Sequence, residues 1–218
     1  MKKGLAELVF ILDKSGSMSG LEKDTIGGFN AMLARQKAVD GECRITTVLF
    51  DNRYELLHDR VEIAAVEPIT DKDYCVGGST ALLDAIGHTI HKIGNAQKHT
   101  AEDFRAEKVL FVIITDGEEN ASREYSSSLV KQMIERQQLR HGWEFIFLGA
   151  NIDAVETAAH FGIAPDRAQA YHADSAGVNL NFSVMSETVA VFRETAEMPE
   201  DWKEAIDRDY KARVKKRG

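Results

Sequence analysis

The chain alternates between short runs that are apolar at every position and longer stretches whose apolar residues recur at helical spacing. VFIL within Leu5–Leu12, VLFVII within Val109–Thr115 and FIFL within Phe145–Leu148 have the makeup of strands covered on both faces, as parallel strands are. Further strands are predicted at Arg44–Phe50, Glu55–Val61 and Ala168–Tyr171. FDNRYELL puts Asp51 and Asn52 in a short turn between two extended segments, so the third strand should return antiparallel, as an edge.

Between the strands, Ile26, Phe29 and Leu33 mark one helix, and Leu82, Ile86, Ile90 and Ile93 a second. Leu129, Val130, Met133 and Ile134 mark a third, and a shorter one runs from a cap near Asp153 to Phe161, stopped by Gly162. Strand and crossover helix in alternation predict an α/β fold: a doubly wound, mostly parallel sheet with one antiparallel edge strand and helices on both faces. Beyond Tyr171, Phe182, Met185, Val189 and Phe192 share one helical face. Pro199 then breaks the chain before a short amphipathic helix with Trp202, Ile206 and Tyr210, expected to pack back on the same chain. The expected organisation is a single domain over residues 1–218, with a core at 5–172 and a helical extension at 175–214.

At 218 residues the chain can bury one sizeable core, and its formal charge of -8 argues against nucleic acid and anionic membranes as partners. The basic run Lys211–Arg217 reads as a solvated helix terminus. No stretch of 18 apolar residues is present, so no membrane span is expected. Glu7 and Asp13 interrupt the segment after Lys2 and Lys3 before a secretion signal could develop. Two cysteines, Cys43 and Cys75, lack metal-binding spacing and suit a reducing compartment, hence a cytoplasmic location.

The chemistry gathers where strands end. Asp13, Ser15 and Ser17, in DKSGSMSG, follow the first strand at alternate positions; Thr80 lies in VGGSTALLDAI; Asp116 follows the fourth strand in TDGEEN. In an open α/β fold these three loops would meet at the carboxyl edge of the sheet, where such folds bind ligands. Hydroxyls and carboxylates suit a hard divalent cation that takes six oxygens. Two carboxylates against a doubly charged ion sum to zero, which leaves an incoming Asp or Glu little repulsion to face. The nearby acids Asp71, Asp73, Glu118 and Glu119 read as solvated loop charges, and no calcium-loop pattern is present.

These segments, in this order, resemble the von Willebrand factor type A (vWA) domain, whose metal ion-dependent adhesion site (MIDAS) is written D-x-S-x-S, then a threonine, then an aspartate. All five positions are filled, and the resemblance covers roughly residues 5 to 172; the terminal helices are similar to those of small intracellular bacterial members. The resemblance implies Mg²⁺ held by Asp13, Ser15, Ser17, Thr80 and Asp116, with Mn²⁺ or Ca²⁺ as substitutes in vitro, and a protein partner that supplies an Asp or Glu. It further implies Ser15 and Ser17 as direct donors, Asp13 and Asp116 as orienting or water-bridged groups, and Thr80 as the donor that exchanges when the partner binds.

Other chemistries find less support. The loop around Gly16 matches neither GxxxxGK[ST] nor GxGxxG, so no nucleotide is expected. No GxSxG elbow accompanies Ser15 or Ser17. His88 and His91 sit three apart on a predicted helix without a third zinc ligand. The sequence therefore favours a Mg²⁺-dependent protein-binding module over an enzyme. A metal-dependent phosphoesterase and a structural subunit with a vestigial site are the alternatives.

Overall fold

In the computed structural model, which describes residues 1–214, six strands form one sheet in the order β3-β2-β1-β4-β5-β6. They are β1 (Lys2–Asp13), β2 (Cys43–Phe50), β3 (Tyr54–Glu62), β4 (Ala106–Thr115), β5 (Glu144–Ala150) and β6 (Ala168–Tyr171). All neighbours are parallel except β2 and β3, which pair antiparallel around the Asp51–Asn52 turn. Both β1 and β4 begin earlier than their apolar runs, because Lys2 and Ala106 still pair with one another.

Among the described residues six α-helices cover the sheet: α1 (Glu22–Lys37), α2 (Leu82–His99), α3 (Ser127–His141), α4 (Ala154–His160), α5 (Ser175–Thr195) and α6 (Glu204–Val214). The uniformly apolar strands divide their side chains between two cores. Leu8, Phe10 and Leu12 of β1 join Leu110, Val112 and Ile114 of β4 beneath α1 and α5. Val9 and Ile11 join Val109, Phe111 and Ile113 beneath α2, α3 and α4. Alternate side chains of a strand point to opposite faces, so a strand with helices on both sides must be apolar throughout.

Helix α1 crosses α5 closely enough that a Cβ at Gly28 would fall 2.4 Å from the Phe182 ring. The carboxyl end of α5 is fixed by two buried cations. Arg193 donates through Nη2 to the carbonyls of Val39 and Gly41, each at 3.1 Å, and through Nη1 to Gln36. Lys108 of β4 donates to the Arg193 carbonyl at 2.6 Å. Helix α6 packs on β6: Ile206 is buried, and Trp202, just ahead of α6, donates its indole N–H to the Asp166 carbonyl at 2.8 Å. The last residues of the basic run, 215–217, lie outside the described residues.

Candidate metal centre

Parallel register places Leu12 beside Ile114, so the residues that follow on β1 and β4 leave the sheet side by side. Asp13 ends β1 and Asp116 lies one residue beyond β4, each 1% exposed. The loop after β1 makes a 3-10 turn at Gly16–Met18 that brings the Ser15 and Ser17 hydroxyls to 2.9 Å from each other. The Thr80 loop is stitched to this turn: Gly16 donates its amide to the Gly78 carbonyl at 3.0 Å, and Gly77 to that of Lys14 at 2.9 Å. Gly78 has φ +75°, and a Cβ there would fall 2.3 Å from Asn52 Oδ1, so the turn between β2 and β3 leaves no room for a side chain.

The third loop closes on the other two at Gly117, where a Cβ would lie 3.1 Å from Ser17 Oγ and 3.5 Å from Thr80 Oγ1. Thr80 is buried. Its amide donates to Asn120 Oδ1 at 3.0 Å, and its carbonyl accepts from the amides of Asn120 and Ala121 at 3.0 and 3.1 Å. Asp13, Ser15, Ser17, Thr80 and Asp116 thus come from three loops that abut at one edge of the sheet. Among the described residues no three His, Cys, Asp or Glu side chains converge. A cation here would accordingly rest on two carboxylates and three hydroxyls.

The two carboxylates differ in how they are held. Asp13 Oδ1 accepts from the Ser15 amide at 2.7 Å and Oδ2 from the Thr115 hydroxyl at 2.6 Å, while Tyr74 donates its hydroxyl to the Asp13 carbonyl. Burial raises the Asp13 pKa, and these donors oppose the rise. Among the described residues, neither oxygen of Asp116 has a hydrogen-bond partner, although both are inaccessible. Burial pushes its carboxyl up to about 6. The Ser17 hydroxyl is close enough to offset part of that shift without reaching hydrogen-bond geometry, and the charge of Asp13 adds to it. A buried carboxylate without partners is costly unless something positive arrives to share it. The donor set fits a hard cation on that ground.

Of the surrounding acids read as solvated charges, Asp71 and Glu118 are exposed as expected, and Glu119 is not. Its Oε1 accepts from the amides of Ala121 and Ser122, and its Oε2 from the Leu83 amide at 2.8 Å and the Ser122 hydroxyl at 2.7 Å. Asp84 then receives the amides of Arg123, Glu124 and Tyr125 at 2.8 to 3.0 Å. Together they bind the third loop to the first turn of α2, directly behind Thr80. Asp73 is likewise engaged, by the Thr70 amide and hydroxyl. Tyr74, Thr115 and Asn120 were not singled out by sequence reasoning, and Glu119 was read only as a loop charge. Only Thr115 carried a signal, its position beside Asp116.

No protein-family model matches the chain, and no curated protein sequence matches it. Solved structures do. Proximal thread matrix protein 1 of the mussel byssus shares 16% identity over 86% of this chain and 46% of its own, at a TM-score of 0.60. A von Willebrand factor type A protein from Catenulispora acidiphila shares 13% over 85% of this chain and 42% of its own, at 0.56. The manganese-loaded TRAP protein of Plasmodium vivax shares 17% over 84% of this chain and 74% of its own, at 0.55. The chain spans less than half the length of the first two. With its mostly parallel six-stranded sheet, antiparallel edge and helices on both faces, it has the von Willebrand factor type A fold.

Proposed function

We propose that this chain is a Mg²⁺-dependent protein-binding module in which Asp13, Ser15, Ser17, Thr80 and Asp116 hold the ion and a protein partner supplies an Asp or Glu. The observation that carries this reading is Asp116, a buried carboxylate with both oxygens unpaired beside three loop hydroxyls. A bound divalent cation supplies the missing positive charge and a coordination position for an incoming carboxylate. Ser15, Ser17 and Thr80 offer neutral oxygens; Asp13, braced by Thr115 and the Ser15 amide, offers a carboxylate whose orientation is set in advance. Because the Thr80 backbone is bonded on both sides to Asn120 and Ala121, any exchange of its hydroxyl toward the ion draws the third loop with it.

A form of the mussel protein with a zinc-occupied MIDAS motif, and the Plasmodium protein in its manganese-loaded form, support a divalent ion as the ligand. Mg²⁺ is our choice because every donor here is a hard oxygen. The two cysteines, Cys43 buried and Cys75 exposed, are both free, which supports a reducing, cytoplasmic setting.

Titration calorimetry with Mg²⁺ and Mn²⁺ tests the metal: saturable binding at one site is expected, lost in Asp116→Ala. Affinity capture from extract of the source cell, run with Mg²⁺, with EDTA and with Thr80→Ala, tests the partner. A protein retained equally in all three arms would show that the metal is not its grip. Hydrolysis of phosphoesters that disappears in Asp116→Ala would replace the binding reading with the phosphoesterase.

A further inference from the structure

A second concave surface, of about 450 Å³, lies at the opposite end of the sheet, where β4 and β5 begin. Ile90 of α2, Ala106 of β4 and Trp143, the residue before β5, are buried apolar groups in its wall. Trp143 is held flat against Phe111, with ring centroids 5.4 Å apart. Lys98, Arg105 and Arg136 also line the groove, opposed among the described residues by the single carboxylate Glu102. Among the described residues, none of these three cations takes part in an ion pair.

Helix ends explain part of this charge. The carboxyl ends of α2 and α3 both reach the groove, and each is equivalent to roughly half a negative charge. Arg105 already donates its Nε to the Thr100 carbonyl at 2.7 Å, next to the end of α2. With His91 and His141 left out of the count, three cations against Glu102 and two half-charges leave a surplus of about one positive charge. That surplus stands on a chain of formal charge -8. Arg136 lies outside the last turn of α3, which has its own cation in Arg140.

From the charge surplus and the volume of the groove we infer that it is a binding site for a small organic monoanion. The carboxylate meets the guanidinium fork of Arg136, and the body lies along α2 over Gly94. Arginine pairs with carboxylates through two parallel N–H donors, and the volume falls within the range of small-molecule sites. The site does not depend on the metal centre, so Asp116→Ala should leave it intact.

The probe is 1-naphthoate, titrated into the full chain by calorimetry, with 1-naphthamide as the neutral isostere. We expect one naphthoate per chain and at least roughly tenfold weaker binding of the amide. Arg136→Gln should weaken naphthoate about tenfold and leave the amide unchanged. Gly94→Leu is the second variant: a Cβ at Gly94 would sit 3.5 Å from Gln137 Nε2, an ordinary contact, so α2 accepts a side chain there and a leucine fills the groove. It should abolish binding of both compounds while circular dichroism shows the fold retained. No heat with naphthoate at about 1 mM would overturn the inference. So would equal affinity for acid and amide, or naphthoate binding undiminished in both variants.

Discussion

Two buried acids on this sheet, Glu7 and Asp116, meet opposite fates. Glu7 is fully buried in the central strand β1, yet its carboxylate takes two donors from Arg60, at 2.5 and 3.1 Å, and one from Gln97 at 2.6 Å. Asp116 is as deeply buried and receives none from the described residues. Burial of charge is common to both, and only the second asks for something from outside. The first ties β1 to the edge strand and to α2, which is a structural role. The unpaired acid is the one that marks a site.

Breaking the satisfied acid should have the largest effect. Arg60→Met leaves Glu7 buried with Gln97 alone, and we expect a loss of about 3–5 kcal/mol in urea unfolding. A loss under about 1 kcal/mol would mean that water reaches Glu7 and that the two acids differ less than their surroundings suggest. Asp116→Asn should act in the opposite direction in EDTA. The carboxyl is raised from 3.8 to about 6, so removing its charge at pH 7 should stabilise the metal-free protein by up to about 3 kcal/mol. The same substitution should abolish stabilisation by Mg²⁺.

The pH dependence sharpens this. A carboxyl with a raised folded pKa holds its proton in the folded state while the unfolded chain has lost it, so its contribution to stability falls as pH rises from about 4 through about 6. Metal-free wild type should therefore lose melting temperature relative to Asp116→Asn between pH 4 and pH 7, and saturating Mg²⁺ should close the gap at pH 7. A constant gap across that range would remove Asp116 as the titrating group. His58, whose pKa is lowered by burial, is common to both proteins and cancels in the difference.

A smaller effect is expected behind the other carboxylate. Thr115→Val removes the donor to Asp13 Oδ2, which should cost about 1 kcal/mol of stability and about tenfold in metal affinity. Smallest of all is Lys2→Ala, which breaks the exposed pair with Glu42 and should change stability by no more than about 0.5 kcal/mol.

The central strands β1, β4 and β5 were legible because two-faced burial produces long apolar runs, and β6 appears at its expected Ala168–Tyr171. The hairpin and the five loop residues were legible because each is local, a turn or a strand end. What escaped was the scaffolding behind them. Tyr74 reaches the Asp13 carbonyl across 61 positions of sequence, and Glu119 reaches the Leu83 amide across 36. An acid in a loop reads as solvated until its amide donors are placed, and those donors carry no residue-type signature. Glu7 offered the one clue of this kind, a charge inside an otherwise apolar strand, which implies a partner without naming Arg60.

The clamp at the carboxyl end of α5 gives the molecule a mechanical direction. A pull applied beyond Val214 loads α6 first, on β6 at the far edge of the sheet, then the Trp202 bond to Asp166 in the turn just before that strand. Peeling would stop at Arg193, whose guanidinium holds the α1–β2 connection while Lys108 grips the same helix end from the centre of the sheet. The tether can thus unravel by about twenty residues (Ala196 to Val214) before tension reaches the strands that carry Asp13 and Asp116. A weight hung on that end would stretch the leash and leave the grip untouched.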